Sequence, residues 1–550
     1  MTRTRFRRLA AGLVLLGLAL YAWPLTLDVP LTDPDEGLHA AIAQEMVERG
    51  DWVVPRMLGE SFRDKPVLYF WALAASIDLF GMRETAVRLP GLVFGLLGAL
   101  TTAWLAWQLA GPRVGVIAGA LYATSLLPLA IAQAGVHDVA LVPWTNLALV
   151  GLWRAAARSD AAGRSGWILA AGVFVGLAML TKGLVGVALI GLPFAIWLLA
   201  ERRLTAGLVA AGALTLAVGA AVAWPWYAAM EAADPGYLDY YFLERHVMGF
   251  ATPTQVHGER PWWYYLPIMA GGALPWILGP PFATPRRLGP RWDAGTRLLW
   301  IWLLADLLVL SVARSKLVTY ILPALPALAI LAAIVWDGWL DEAGRPEAPR
   351  RRGILVAHGV ILVALVPSAA IVAHARFGIG PGAATEAGAA LVLVAAVLGL
   401  ARWGSGARPQ ALGWLLAAMA IFFVSVMAGL FPAVASDLSA RDLARALNRQ
   451  GALPPKVWIV DERVGSVVFY LEPGLRRGLD AGRFENVGYG TVLSRLASAP
   501  ADVLVAVAAS DAGRLVRGAA GAQVPFEVAG RYRLYRIGDL RMHLLGAEAG

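Results

Sequence analysis

Short clusters of carboxylates, amines and imidazoles punctuate this 550-residue chain: Asp35-Glu36, Asp64-Lys65, His137-Asp138, Lys182, His246, and Ser315-Lys316 with Thr319-Tyr320. A carboxylate can take a proton from a hydroxyl or orient it. A lysine ammonium is a compact point charge suited to a phosphate. Asp35 and Glu36 are therefore candidates for a general base or an orienting acid. The competing role is helix capping, where a carboxylate meets free N–H groups and the positive end of the dipole. Adjacent acids can divide these tasks, one capping and one free. Lys65 can neutralise a phosphate, with Asp64 orienting it or holding a cation. The competing role is a snorkelling lysine in a surface ion pair. Asp64 with His246 and His257 would make at most a weak divalent-metal site. Their spacing matches no compact metal motif, and hydrogen-bonded loop histidines are the alternative. His137-Asp138 opens an apolar run, and Lys182 stands between two runs with almost no loop.

The elements that must carry these residues are read from composition. The chain is 58% hydrophobic and 15% charged, with 22 tryptophans. Soluble domains are about one quarter charged, so composition excludes a soluble globule. Apolar runs long enough to span a bilayer fall at 9–27, 86–110, 113–130, 139–157, 166–181, 184–200, 205–228, 262–283, 297–313, 318–336, 354–375, 386–401 and 411–433. The run Val67 to Phe80 is too short and is assigned to the membrane surface.

Arginines mark alternate loops: Arg3 to Arg8, Arg113, Arg154 to Arg164, Arg202-Arg203, Arg286 to Arg297, Arg350 to Arg352, and Arg402 with Arg408. The positive-inside bias makes that side cytoplasmic, together with the N-terminus. The net charge of +9 is thus a topological signal and not a nucleic-acid footprint. Every reactive cluster named above falls on the opposite face. Only four of the 47 Lys and Arg residues are lysine, and Lys65, Lys182 and Lys316 lie at span ends on that face. The absence of cysteine excludes disulfides and thiolate metal sites.

Two outward loops are long, 28–85 and 229–261. In the first, Leu38, Ile42 and Met46 predict a helix face that Gly50 terminates. Trp262 to Tyr265 read as an interfacial aromatic belt. The expected organisation is a membrane domain over 1–436 and an outer soluble α/β domain over 437–550. In the latter, Ser439 with Asp442 resembles a capping box. Strands are expected at Lys456–Asp461, Ser466–Leu471, Asp502–Ala509 and Arg531–Gly538.

The order of Asp35-Glu36, Gly50-Asp51-Trp52, Lys65-Pro66, Arg88-Leu89-Pro90, Thr181-Lys182-Gly183, Pro225-Trp226-Tyr227, Pro261 to Pro267 and Ser315-Lys316-Leu317 with Thr319-Tyr320 resembles the GT-C glycosyltransferases that use lipid-phosphate sugars. Within that class the chain most resembles bacterial aminoarabinose transferases acting on lipid A, with protein O-mannosyltransferases as relatives. The resemblance implies a polytopic all-α GT-C membrane fold of about 13 transmembrane helices with a C-terminal periplasmic α/β domain. It implies inverting transfer from an undecaprenyl (polyprenyl) phosphate sugar on the periplasmic side of the inner membrane. By match, Asp35 is the first-loop catalytic aspartate, and Lys65 binds the donor phosphate, with Asp64 as its acidic neighbour. Asp138, Lys182, His246 and Tyr320 fall on other cavity positions of the family. The expected roles are catalysis for Asp35, Asp138 and Glu36, donor-phosphate binding for Lys65, Lys182, Tyr320 and Lys316, and a metal site at Asp64 and His246.

Four positions depart from the pattern: Leu38 and His39 replace an arginine and a tyrosine, Asp64 replaces a glutamate, and Gly249 replaces an arginine. They bear on the sugar and the acceptor more than on the reaction class. Lipid A is the expected acceptor, with a polysaccharide or protein hydroxyl as the alternative. A lipid-linked sugar flippase is the reading from another class. It would carry its polar residues near the bilayer midplane, whereas these lie at span ends.

The topology has a direct check. Reporter fusions ending after residues 35, 65, 182 and 316 should all report the periplasm. Fusions that put 35 and 65 on one side and 182 or 316 on the other would contradict the common face.

Overall fold

Apolar runs in lipid must satisfy their own backbone, which favours helices, and the computed structural model is dominated by them. It describes residues 3–158, 160–248, 260–341, 349–462, 465–477, 479–480, 482–516 and 527–546. His257 and Gly249 lie outside the described residues. Among the described residues nine helices are long and apolar enough to cross a membrane, or ten if one bent pair counts as a single span.

Several expected spans take other forms. The run 113–130 breaks into Pro112–Ala123 and Leu126–Ala132, bent by 62°. The run 262–283 is not one helix. It forms Tyr265–Gly272 and then 3-10 turns at Trp276–Leu278 and Pro280–Phe282. Pro275, Pro280 and Pro281 lack the N–H a continuing helix would use. The run 318–336 is present as a span, Val318–Asp341, that begins as a 3-10 turn, Val318–Ala324, and continues as the helix Leu325–Asp341. Leu68–Phe80 is a 13-residue helix, below spanning length.

The chain forms two compact units. One comprises Met1–Leu27, Arg63–Ala72 and Arg88–Phe431; the other comprises Asp28–Phe62, Leu73–Val87 and Pro432–Gly550. Most of the first long loop therefore belongs with the C-terminal segment, which a division at residue 436 does not capture.

In the first unit, helix packing uses small residues and buried polar bonds, as expected without a hydrophobic drive between helices in lipid. Gly172 and Gly176 on Ala161–Lys182 let Val218 and Val222 of Ala206–Ala233 approach so closely that a Cβ at either glycine would collide. Asn146 of Asp138–Ala156 donates to both Thr101 and Thr102 of Glu84–Ala110, 3.1 Å each. The arginine-bearing loops converge within this unit. Arg113 and Arg291 share Asp337 and Asp341, and Arg297 pairs with Glu201.

The second unit holds a two-stranded ribbon, β1 (Arg56–Met57) and β2 (Glu60–Ser61). It also holds a five-stranded sheet of β3 (Val457–Val460), β4 (Phe484–Val487), β5 (Leu504–Ala508), β6 (Glu527–Ala529) and β7 (Tyr532–Arg536). The sheet order is β4-β3-β5-β7-β6, parallel across β4-β3-β5 and antiparallel beyond. Val457 and Ile459 enter one core, and Trp458 and Val460 enter the other. Burial on both faces explains why the strand reads as a continuous apolar run. The first core includes Leu443 and Leu447 of the helix Arg441–Gln450, and Ala41 of the first-loop helix Asp35–Arg49.

Expected strands at 456–461, 502–509 and 531–538 are present. Ser466–Leu471 is instead a short helix, Ser466–Tyr470, because Asp33 accepts from the N–H groups of Gly465 and Ser466 and caps it. The Ser439 capping box does not form. Ala440 is the N-cap, and the Ser439 hydroxyl accepts from the Arg441 N–H at 3.2 Å.

The helix Asp35–Arg49 ends where expected, with Gly50 left-handed at φ 66°. Its first turn lies against the Gly465-Ser466 backbone, and a Cβ at Gly465 would run into the Leu38 backbone. Gly465→Ala should cost about 2–3 kcal/mol through overpacking, seen as a lowered thermal midpoint in detergent. An unchanged midpoint would contradict this contact.

Candidate functional site

Helix ends bring the reactive residues of the first unit together. Asp138 is the first residue of Asp138–Ala156, and Lys182 is the last of Ala161–Lys182. The Lys182 ammonium donates to Asp138 Oδ1, and both side chains are under a tenth exposed. The second oxygen, Asp138 Oδ2, accepts from Thr319 Oγ1 at 2.9 Å. One residue on, the Tyr320 ring lies 3.8 Å from Lys182 Nζ and 5.8 Å from Lys65 Nζ. Both amines thus face one aromatic ring, whose electron-rich face favours cations. Burying the Lys182–Asp138 pair costs desolvation, which the Thr319 hydroxyl and the ring help to offset.

A second layer comes from the loop after Ala233, wound as a π-helix over Asp239–Met248. Tyr240 donates to Asp64 Oδ1 at 2.7 Å, and Arg245 Nε stands 3.6 Å from the same oxygen. Neighbouring Arg63 pairs with Asp234. His246 Nδ1 lies 2.7 Å from the Tyr241 carbonyl, and Nε2 lies 3.5 Å from the Lys182 carbonyl. The shorter contact assigns the proton to Nδ1. Burial holds the His246 pKa below its usual value, against these carbonyl contacts. The imidazole reaches Lys182 only because residue 183 is glycine at φ 62°, where a Cβ would meet His246 and Tyr241.

The sequence-derived residues take distinct places. Lys65, Lys182, Asp138 and Tyr320 converge. Lys316 is buried and donates to the Arg260 carbonyl at 3.1 Å, which anchors the preceding loop. Asp64 is held by Tyr240, and His246 by backbone carbonyls. Among the described residues no three His, Asp or Glu side chains gather to hold a metal ion. Asp64 and His246, the two residues expected to hold a metal, belong to no such group.

In the second unit, Glu36 is buried and accepts from the Thr32 N–H and hydroxyl at 2.8 and 3.1 Å. It ties the turn before its helix, and no side chain caps the helix itself. Asp35 is exposed at the first turn. Asp33, Thr319, Tyr240 and Arg245 also take part, and residue type alone does not mark them. Thr319 lies inside the Ser315–Tyr320 run. Asp33 has no local signal, because its partner Ser466 is 433 positions away.

Residues 64–227 match the family described as dolichyl-phosphate-mannose-protein mannosyltransferase. An undecaprenyl phosphate-alpha-4-amino-4-deoxy-L-arabinose arabinosyl transferase of Pectobacterium carotovorum is 32% identical over 448 residues, 79% of this chain and 78% of that protein. The protein of the same description from Erwinia tasmaniensis is 33% identical over 74% of each chain. Against those of Edwardsiella ictaluri and an Enterobacter strain, the matched region spans 64% and 58% of the relative's length. The crystal structure of ArnT from Cupriavidus metallidurans bound to undecaprenyl phosphate shares the fold. It aligns with a TM-score of 0.73 at 24% identity, over 96% of this chain and 98% of that one. The fold is thus a polytopic helical GT-C membrane domain with a C-terminal α/β sheet.

Removing one partner of the buried pair leaves the other charge stranded. Lys182→Met should destabilise the protein by about 3–5 kcal/mol, and the double variant Lys182→Met/Asp138→Leu should recover much of that. Equal thermal midpoints for wild type and Lys182→Met would show that the pair is not buried as described.

Proposed function

We propose that this chain, which belongs to the undecaprenyl phosphate-alpha-4-amino-4-deoxy-L-arabinose arabinosyl transferase family, transfers aminoarabinose from undecaprenyl phosphate to lipid A. The reaction takes place at the periplasmic face of the inner membrane, with the N-terminus cytoplasmic and the sheet domain periplasmic. The observation that carries this reading is the cluster of Lys65 and Lys182 around Tyr320, fixed by Asp138 and Thr319.

Glycosyl transfer from such a donor breaks the bond between the anomeric carbon and the phosphate oxygen. The electron pair leaves with the phosphate, so negative charge grows there. Preformed cations at that position stabilise the transition state without reorganising. Lys182 is held in place by Asp138, while Lys65 is half-buried and lies 5.8 Å from the centre of the same ring. The acceptor oxygen forms the new bond from the opposite face, which inverts the carbon. A lipid A phosphate is already ionised and needs orientation more than deprotonation. Asp35, exposed at its helix start, then orients the acceptor or the sugar. A hydroxyl acceptor on a polysaccharide or protein would need Asp35 as base.

The test combines purified protein, undecaprenyl phosphate-linked aminoarabinose and lipid A, with products read by mass spectrometry. Lipid A should gain one aminopentose as undecaprenyl phosphate is released. Lys65→Ala and Asp35→Ala should each lower turnover on the order of a hundredfold. A cleaved donor with unmodified lipid A would move the acceptor to another glycan or a protein. An intact donor under all conditions would refute glycosyl transfer.

A further inference from the structure

Asp33 of the second unit caps the short helix Ser466–Tyr470, and its bonds reach beyond that duty. Its carboxylate accepts from the N–H groups of Gly465 and Ser466 at 3.1 and 2.9 Å, and from the Ser466 hydroxyl. The same hydroxyl accepts from the Ala440 N–H at 2.9 Å, and the Asp33 N–H donates to the Leu438 carbonyl at 2.8 Å. One residue, by its side chain and its backbone N–H, thus ties the turn before Asp35–Arg49 to two segments more than 400 residues away. The approach is tight. A Cβ at Gly37 would strike both Asp33 and the Ser466 backbone.

We propose that Asp33 is a positioning residue, which locks the turn before the first-loop helix so that Asp35 projects from a fixed point. This rests on the reading that Asp35 meets the sugar or the acceptor. Two residues separate the acids, so a shift of the Asp33 turn moves Asp35 with it. The chemistry around Asp33 favours this duty over simple stabilisation. Burial lifts its carboxyl to about 6, against the hydrogen bonds and the charge of Arg531, which lower it. A raised carboxyl adds most stability below the ordinary carboxylate range and loses it as pH rises through about 6. At neutral pH the ionised group therefore weakens the fold relative to its protonated form. A neutral acceptor of the same shape would hold the turn at less cost.

The experiment compares full-length Asp33→Ala, Asp33→Asn and Ser466→Ala in detergent. It reads thermal midpoint, hydrogen exchange over residues 31–43, and kcat and KM for undecaprenyl phosphate-linked aminoarabinose. Asp33→Ala should speed exchange over 31–43 and lower kcat by about tenfold or more, with KM within about twofold. Asp33→Asn keeps the acceptor oxygen, so it should return kcat to within about threefold of wild type. Its thermal midpoint should equal or exceed that of wild type. Should Asp33→Ala fail to fold, Ser466→Ala carries the same comparison. Unchanged exchange and kcat would overturn the proposal, as would an Asn variant no more active than the Ala variant. If exchange rises but Asp35→Ala itself keeps full kcat, the tie stands and the assignment of Asp35 falls.

Discussion

The ion pair of Lys182 and Asp138 is the contact on which the membrane unit depends. Two opposite charges in an apolar bundle are tolerated only when each satisfies the other and their remaining valences are met. That requirement pins three elements at one point. One helix must end at Lys182, another must begin at Asp138, and the 3-10 turn must offer Thr319 to the second carboxylate oxygen. Tyr320 is then placed with no freedom of its own, and Lys65 finds the same ring. The tight glycine packing between Ala161–Lys182 and Ala206–Ala233 serves the same end, because it holds the helix whose last residue is the lysine.

The sheet unit solves a different problem. Its central strands are buried on both faces, so their stability comes from apolar area and needs no charge at all. The polar work is concentrated where the first-loop helix meets the Gly465-Ser466 turn. There a carboxylate substitutes for the residue a short helix would otherwise supply as its own cap. The helix Asp35–Arg49 is thereby held on both sides, by Ala41 in the sheet core and by Asp33 at its entry.

The fold was legible where one physical rule acts alone. Apolar length announced most spans, and short runs of strand-forming residues announced β3, β5 and β7. Gly50 announced the helix end through its left-handed backbone. Reading failed where a distant partner decides. Ser466–Leu471 has strand composition, but Asp33 caps it as a helix. The prolines of 262–283 sit in a stretch apolar enough to span and still break it into turns. In the site, Lys65, Asp138, Lys182 and Tyr320 were visible by charge or by resemblance. The local duty of Glu36 and the carbonyl partner of Lys316 depend on backbone geometry, which residue types do not encode.

The second unit is assembled from three stretches of chain, two early and one last. Synthesis runs from the N-terminus, so residues 28–62 are made long before β3 to β7 exist. The apolar side of Asp35–Arg49, Ala41 included, must wait through every intervening membrane helix for the core that will cover it. Ribosomes that stall or terminate before residue 432 release a membrane bundle carrying an orphaned helix.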